Sequence, residues 1–234
     1  MPEDQEVRRR IEEISDSVDS ILEDDIRADL LIERAHCFNL QGDEPKSVKD
    51  YLDALDFAKN HSARAHVKAM ISLAFLKGVD CEKVAMWWAI DALDEERNVE
   101  SLYVAALNMQ WSEFYSLATD LLQETIELQP DHWPAQYALG KCLRENGRLK
   151  DARAGLQKYV DANPSDPRGL YQLGWTFQVS LDLPNRVELA KKYYRRALEH
   201  SPESVIRQIV ERKLAGLEAA EQNIREGHRQ NERQ

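Results

Sequence analysis

Residues 133–174 read WPAQYALGKCLRENGRLKDARAGLQKYVDANPSDPRGLYQLG, and this stretch decides the fold. Its Leu-Gly pair at 139–140 recurs at 173–174. The same interval separates three further pairs of identical residues: Pro130 and Pro164, Ala118 and Ala152, and Leu122 and Leu156. Several coincidences in one register indicate an internal repeat of about 34 residues.

Each recurring position has a physical role in a helical hairpin. Gly140 is expected where two helices cross closely, because a branched side chain there would push the helix axes apart. Gly147 is predicted to end the first helix, since glycine readily adopts the left-handed conformation that closes a helix. Leu156 and Tyr159 follow at helical spacing and are expected to fill the seam between the two helices. Pro164 is predicted to stop the second helix.

The stretch from Trp133 to Asp166 resembles a tetratricopeptide repeat (TPR). The residues that carry this resemblance are Leu139, Gly140, Leu143, Gly147, Ala152, Leu156 and Pro164. The next unit matches too but carries about four extra residues around 180–184, and the preceding unit lacks the Leu-Gly pair. Two weaker units lie upstream. The resemblance implies an all-α, right-handed α-solenoid of about five TPR-like helical hairpins with N- and C-terminal capping helices.

The predicted organisation has three parts. Residues 1–24 form an amphipathic helix that packs on the solenoid, residues 25–202 form the repeat array, and residues 203–234 form a capping helix and a polar tail. The approximate units of the array are 28–62, 63–98, 99–132, 133–166 and 167–202. The apolar stripe of the N-terminal helix comprises Val7, Ile11, Ile14, Val18, Ile21 and Leu22. We expect twelve helices, no sheet and one continuous curved core.

The charge of the chain is unevenly distributed along the sequence. The net charge is −11, which repels phosphate backbones and makes nucleic acid an unlikely partner. The first sixty residues contain seventeen Asp and Glu against eight Lys and Arg, a local net charge of −9. From Ser180 onward the local net charge is +2, because nine acidic residues face eleven basic ones.

The number of cysteines and the hydropathy of the chain indicate the cellular compartment in which the protein works. The three cysteines form no pair at short spacing, and an odd number in a chain of this length argues against a disulfide framework. The N-terminus has no secretory signal, and no stretch approaches the roughly 20 apolar residues that span a bilayer. We therefore expect a cytoplasmic protein that needs no membrane.

The sequence offers no recognisable catalytic or metal-binding motif. His61 and His66 are five residues apart, which is the wrong interval for two metal ligands on one helical face. Cys142 lies on a buried-type helical face and is expected to be a small core residue rather than a nucleophile. Phosphate-binding loops and the Gly-x-Ser-x-Gly pattern are absent. The chain is predicted not to be an enzyme, with no metal and no cofactor.

The TPR resemblance implies that the first helix of each hairpin lines a concave groove. Projecting the repeat register onto those helices gives eight candidate ligand-binding residues: Tyr103, Trp111, Tyr137, Lys141, Arg144, Arg168, Tyr171 and Trp175. Rigid aromatic rings provide contact area at little cost in entropy, so this composition is typical of a peptide-binding surface. In the alternative interpretation the tyrosines pack against neighbouring helices, and only their hydroxyls reach solvent.

The sequence is compatible with three functions. The leading hypothesis is a scaffold or adaptor whose groove binds a partner peptide or segment, with an acidic or C-terminal carboxylate segment favoured by the cations. The second is an acidic TPR chaperone that holds an aggregation-prone client. The third and weakest is an RNA-binding helical-repeat protein, with the run KKYYRR at 191–196 as its contact patch. In the alternative interpretation of that run, Tyr194, Ala197 and Leu198 face the core and the charges form a solvated face.

Overall fold

The computed structural model describes residues 2–76, 81–201 and 205–231, and these ranges are all-helical. The helices in chain order are α1 Pro2–Ser17, α2 Asp24–Gln41, α3 Glu44–Phe57, α4 His61–Leu76, α5 Glu82–Glu95, α6 Val99–Trp111, α7 Tyr115–Leu128, α8 Trp133–Glu145, α9 Leu149–Ala162, α10 Pro167–Val179, α11 Arg186–Glu199 and α12 Val205–Asn231. A single 3₁₀ turn, Val18–Ser20, follows α1. Twelve helices and no strand were expected, and both expectations are confirmed for the described residues.

The chain divides into two compact units. Unit 1 is Met1–His132 and contains α1–α7, and unit 2 is Trp133–Gln234 and contains α8–α12. The predicted handedness of the array and the continuity of its core concern both units together, and these two points stay predictions.

Within each unit, consecutive helices pack as hairpins. In unit 1 the pairs are α2 with α3, α4 with α5 and α6 with α7, and in unit 2 they are α8 with α9 and α10 with α11. The first helices of these hairpins also contact one another, α4 with α6 in unit 1 and α8 with α10 in unit 2. At the ends of the chain, α1 packs on α2, and α12 packs on α11 and α10.

The close helix crossing predicted at Gly140 is confirmed in unit 2, and Gly174, its counterpart one repeat later, forms a second one. A Cβ atom built on Gly140 of α8 would overlap the Leu156 side chain of α9. A Cβ atom built on Gly174 of α10 would lie 2.8 Å from Cδ1 of Tyr194 on α11. Both Leu156 and Tyr194 are fully buried, so neither side chain has free space into which it could move. The glycines therefore set the distance between the helices of each hairpin.

The apolar stripe predicted for the N-terminal helix is only partly buried. Ile14 and Val18 pack into the core of unit 1 beside Leu31 of α2. Leu22, by contrast, is 95% exposed. Helix α1 ends at Ser17, and Ile21 already has extended backbone angles, so Leu22 has left the helical register. The predicted stripe is wrong at its C-terminal end.

Three first helices, α2, α6 and α8, end in the same hydrogen-bonded turn, and Gly42 supplies the left-handed residue after α2. After α8, the N–H of Gly147 donates to the carbonyl of Arg144 at 2.9 Å, and the N–H of Arg148 donates to that of Leu143 at 2.9 Å. Gly147 has φ +74°, as this C-terminal turn requires. The equivalent position of the preceding repeat, after α6, is occupied by Glu113 with φ 63°. A side chain in this left-handed conformation strains the backbone, because its Cβ approaches the neighbouring carbonyl.

Replacing Glu113 with glycine is therefore expected to raise the free energy of unfolding of unit 1 by about 0.5–1 kcal/mol. Part of the relief in the folded state is lost to the greater entropy of glycine in the unfolded chain. Urea denaturation followed by circular dichroism measures the change. Gln123→Gly, on the exposed face of α7, is the control and is expected to lower stability by about 0.5 kcal/mol. A loss of stability in both variants would contradict the strain at position 113.

Candidate partner-binding surface

The eight candidate residues divide between the two units. The six in unit 2 lie on two neighbouring first helices: Tyr137, Lys141 and Arg144 on α8, and Arg168, Tyr171 and Trp175 on α10. Tyr103 and Trp111 lie on α6 in unit 1.

The tyrosines of unit 2 are held by other aromatic rings. The Tyr137 ring lies 5.4 Å, centroid to centroid, from the ring of Tyr159 on α9. The Tyr171 ring lies 5.8 Å from the Trp175 ring and 6.0 Å from the nearly parallel ring of Tyr194 on α11. Burial raises the pKa of both Tyr137 and Tyr171. The alternative in which the tyrosines pack against neighbouring helices is thus right in part, and the packing fixes the orientation of the rings.

Arg144 is buried, and its guanidinium donates to two neighbouring side chains. Nη1 donates to Oε1 of Gln172, and Nε and Nη2 donate to Oε1 of Glu145 at 3.2 and 2.7 Å. Its Cζ lies 4.0 Å from the centroid of the Trp175 ring, a cation–π contact. The Gln172 amide in turn donates to the Tyr137 hydroxyl at 3.3 Å. Arg144 thereby links α8 to α10 and orders the aromatic side chains around it.

Lys141 is a cation of this group that has no acidic partner among the described residues. Its side chain is half-buried, and its ammonium lies 5.7 Å from the centroid of the Tyr137 ring. Among the described residues, no carboxylate lies within ion-pair distance of it. Burial, and secondly the charge of Arg144, lower the pKa of Lys141. An external anion would restore the stabilisation that this ammonium loses by leaving water.

Arg168 lies at the edge of the same group of residues. Its side chain is 63% exposed, and its Nε donates to Oδ1 of Asp166 at 3.1 Å. Asp166 is the N-cap of α10 and also accepts a hydrogen bond from the Tyr159 hydroxyl at 2.5 Å. Contacts through Asp166 and Tyr159 therefore connect Arg168 to Tyr137, and all six residues of unit 2 belong to one contact network.

Lys213 of α12, which was not predicted from the sequence, contacts the same group of residues. Its ammonium lies 4.8 Å from the centroid of the Trp175 ring. The sequence contains a signal for Lys213. Leu107, Lys141 and Trp175 occupy one register position, because they lie 34 residues apart. The next interval, lengthened by the insertion of about four residues around 180–184, ends at Lys213. Two cations already contact the Trp175 ring, which limits its use as a stacking surface for a ligand.

The two candidate residues of unit 1 occupy different places on α6. The Tyr103 ring lies 4.7 Å from the ring of His132. Trp111, at the end of the helix, is 61% exposed, and its indole N–H donates to Oε1 of Glu82 at 3.3 Å.

The basic run 191–196 is less exposed than predicted. The Lys191 side chain is 6% exposed and pairs with Glu221 of α12, so describing it as a solvated charge was wrong. The Tyr193 ring is buried and stacks on Phe177 at 5.4 Å with an interplanar angle of 9°. Tyr194, predicted to face the core, is fully buried. The aromatic rings of this run are therefore occupied within the protein.

Among the described residues, no group of three or more His, Cys, Asp and Glu side chains is arranged to hold a metal ion. In the same part of the chain, no helix combines the length and the apolar character needed to cross a membrane.

Comparison with known proteins bears on the repeat. Residues 115–171 match a sequence model described as tetratricopeptide repeat. No curated protein sequence matches the chain.

Several solved structures resemble this fold. YrrB, described as a TPR protein with an unusual peptide-binding site, is 19% identical with a TM-score of 0.60, and the match covers 85% of this chain and 97% of that one. MamA from Desulfovibrio magneticus RS-1 is 21% identical with a TM-score of 0.58, covering 68% and 85%. A chain of the APC/C hetero-tetramer Cut9–Hcn1 is 13% identical with a TM-score of 0.69, covering 81% and 36%.

These matches confirm the tetratricopeptide resemblance predicted from the sequence. At such low identities the solved structures establish the fold alone. Residues 115–171 thus match the tetratricopeptide repeat, and the described residues form the same fold of helical hairpins as these solved structures.

Proposed function

We propose that this protein is a scaffold or adaptor that binds a segment of another protein on the unit 2 surface. This surface is formed by the first helices α8 and α10 and by one residue of α12; its members are Tyr137, Lys141, Arg144, Arg168, Tyr171, Trp175 and Lys213. The observation that carries the proposal is Lys141, a half-buried ammonium without a carboxylate partner among the described residues, beside fixed aromatic rings. YrrB, a TPR protein of similar fold, is described as having an unusual peptide-binding site, which supports the same kind of ligand here.

The chemistry of the surface favours an acidic ligand. A carboxylate, from an acidic side chain or from the C-terminus of a partner, would pair with the ammonium of Lys141 in a partly dehydrated setting, where charge-assisted hydrogen bonds are strong. Arg144 is already engaged by Gln172 and Glu145, so its role is to orient neighbouring side chains. Arg168, at the exposed edge, adds long-range attraction that raises the association rate at low salt.

The binding of an acidic probe tests this proposal. The probe is a fluorescein-labelled peptide of four Glu-Ala repeats with a free C-terminal carboxylate, and its affinity for the full chain is measured by fluorescence anisotropy. We expect Lys141→Ala to weaken binding about tenfold, since charge-assisted hydrogen bonds contribute roughly 1.5–3 kcal/mol. Tyr171→Ala is expected to cost on the order of 2 kcal/mol, as is typical of an aromatic anchor.

Lys158→Ala is the matched control for charge. Lys158 lies on the exposed side of α9, and removing it changes the net charge by the same amount as Lys141→Ala. We expect the control to bind the probe within about twofold of the unsubstituted chain, because exposed charges at a distance are screened by salt. Equal binding by all three variants, with circular dichroism showing intact folding, would remove the unit 2 surface as the binding site. Capture of the native partner with the same variants extends the test.

A holding chaperone is the second candidate, because unit 1 exposes several large apolar side chains. The exposed fractions are 59% for Trp87, 61% for Trp111, 55% for Phe114 and 53% for Leu117. Exposed apolar surface of this kind is a common feature of sites that contact other proteins. Co-purification of one apolar client in stoichiometric amounts, lost on Trp87→Gln, would favour this candidate over the adaptor.

The protein would act by binding, without catalysis and without a cofactor, on a protein or peptide partner in the cytoplasm. The RNA-binding alternative has less support, because stacking of bases needs free aromatic rings and Tyr193 is already stacked on Phe177.

A further inference from the structure

Unit 1 contains a cavity of about 700 Å³ on its own first helices α2, α4 and α6. Its apolar lining includes Ala28 and Ile32 of α2 and Ala63 and Val67 of α4. Ala28 and Val67 are buried, so this part of the lining belongs to the packed interior of the unit. A volume of this size lies in the range of ligand sites, roughly 300–1,000 Å³.

The polar lining of the same cavity is anionic. Asp25 and Asp29 of α2 are exposed, and among the described residues neither has a cation within ion-pair distance. Glu100 at the start of α6 pairs with Nδ1 of His66 on α4 at 2.5 Å. The cavity therefore carries net negative charge whether or not His66 is protonated.

We propose that this cavity holds a lysine- or arginine-bearing segment of a protein partner. Such a side chain combines an aliphatic stem, which fits the apolar lining, with a cation that would pair with Asp25 and Asp29. We infer a basic polypeptide segment as the occupant because a small inorganic cation would leave the apolar part of the cavity unfilled. The proposal does not depend on the unit 2 surface, whose expected ligand has the opposite charge.

The repeat register identifies a position at which the two units differ in charge. His66, Glu100 and Arg168 occupy one register position, because the first two are one repeat apart and the last two are two repeats apart. In unit 1 this position lies in the anionic cavity, whereas in unit 2 it carries the exposed cation at the edge of the unit 2 surface. Of the acidic residues in the first sixty positions, Asp25 and Asp29 thus line a specific cavity, whereas others are ordinary solvated side chains.

The test uses the full chain and a basic probe. The probe is a fluorescein-labelled peptide of four Lys-Ala repeats, acetylated and amidated at its ends, and binding is measured by fluorescence anisotropy. We expect the double variant Asp25→Asn/Asp29→Asn to bind the probe about tenfold more weakly, since it loses both unpaired carboxylates. The control Asp120→Asn/Glu127→Gln removes two exposed charges from α7, outside the cavity, and is expected to bind within about twofold of the unsubstituted chain.

Ser62→Lys provides a second variant that does not rely on Asp25 or Asp29. Ser62 is an exposed residue that lines the cavity, so a lysine there would place a cation of the protein itself in competition with the probe. We expect the same loss of binding, with unchanged circular dichroism. The proposal is overturned if the unsubstituted chain does not bind the probe, if both double variants lose binding equally, or if Ser62→Lys binds normally. Free spermine that binds as tightly as the peptide would overturn the assignment of a polypeptide occupant.

Discussion

Replacing Gly140 with leucine is expected to lower the free energy of unfolding of unit 2 by about 3 kcal/mol. The Cβ atom of the new side chain would occupy the space of Leu156, which is fully buried between α8 and α9. Because protein interiors are close-packed, Leu156 cannot move aside without forcing α9 away from α8. The loss then propagates to the contacts of α9 with α10.

Urea denaturation followed by circular dichroism measures the effect, and Gly155→Leu is the matched control. Gly155 lies on α9, and a Cβ atom built there would meet nothing within 4 Å. The control is therefore expected to be neutral or to stabilise by up to about 1 kcal/mol, since glycine is a poor helix former. Combining Gly140→Ala with Leu156→Ala should cost less than the sum of the single changes, because the second removes the overlap. Equal stability of Gly140→Leu and Gly155→Leu would refute the close crossing.

The hairpins could be predicted from sequence because the repeated residues are those that pack the two helices of each hairpin together. Gly140 and Gly174 lie one repeat apart since each must admit the second helix of its own hairpin. The repeat register therefore predicts the hairpins, their order and the close crossings at these two glycines. It failed for Leu22, which lies outside the repeat and where a short 3₁₀ turn replaces the last turn of an amphipathic helix.

The partners of buried charges could not be predicted in the same way. Arg144 was correctly placed on a first helix, but its engagement by its neighbour Glu145 depends on a side-chain conformation that no register encodes. The prediction of a solvated Lys191 was wrong because its partner Glu221 lies on α12, beyond the repeat. With the insertion around 180–184 included, the same register leads from Trp175 to Lys213.

The anionic cavity of unit 1 was missed for a related reason. The first two hairpins match the repeat weakly, so the repeat register does not predict which residues of α2 and α4 form a site. The local charge of −9 was visible but carried no position. Asp29 and His66 line one cavity only because α2 and α4 are neighbouring first helices. Composition indicates the sign of the charge, and the packing of the helices decides where it is concentrated.

Unit 1 contains a second charged group, which is structural. Lys68 of α4 has a side chain only 7% exposed, and its ammonium lies 2.6 Å from Oε2 of Glu95 and 2.9 Å from Oδ2 of Asp91, both on α5. The other carboxylate oxygen of Glu95 contacts His61 at 2.6 Å and Arg64 at 3.3 Å. The hydrogen bond from Lys68, above all, lowers the pKa of Glu95 to about 2.

Glu95→Gln is therefore expected to lower the free energy of unfolding of unit 1 by about 3 kcal/mol at pH 7. The folded-state pKa of Glu95 lies below its unfolded value, so the stabilisation is complete above about pH 5 and is lost as the pH falls toward 2. The difference between the unsubstituted chain and the variant should accordingly shrink by roughly 1 kcal/mol between pH 6 and pH 3.5. Urea denaturation at a series of pH values gives both quantities.

Glu124→Gln is the matched control for this prediction. Glu124 pairs with Arg97 at 2.5 Å and at a similar separation in sequence, but the Arg97 side chain is 54% exposed. An exposed pair contributes little because water already stabilises both charges, so the control is expected to cost less than about 1 kcal/mol. If Glu95→Gln is destabilising by the same amount at every pH, the amide has disturbed the packing and the charge of Glu95 is not the cause. If both variants cost equally little, the hydration of Lys68 compensates for the lost carboxylate, and the pair does not hold α4 against α5.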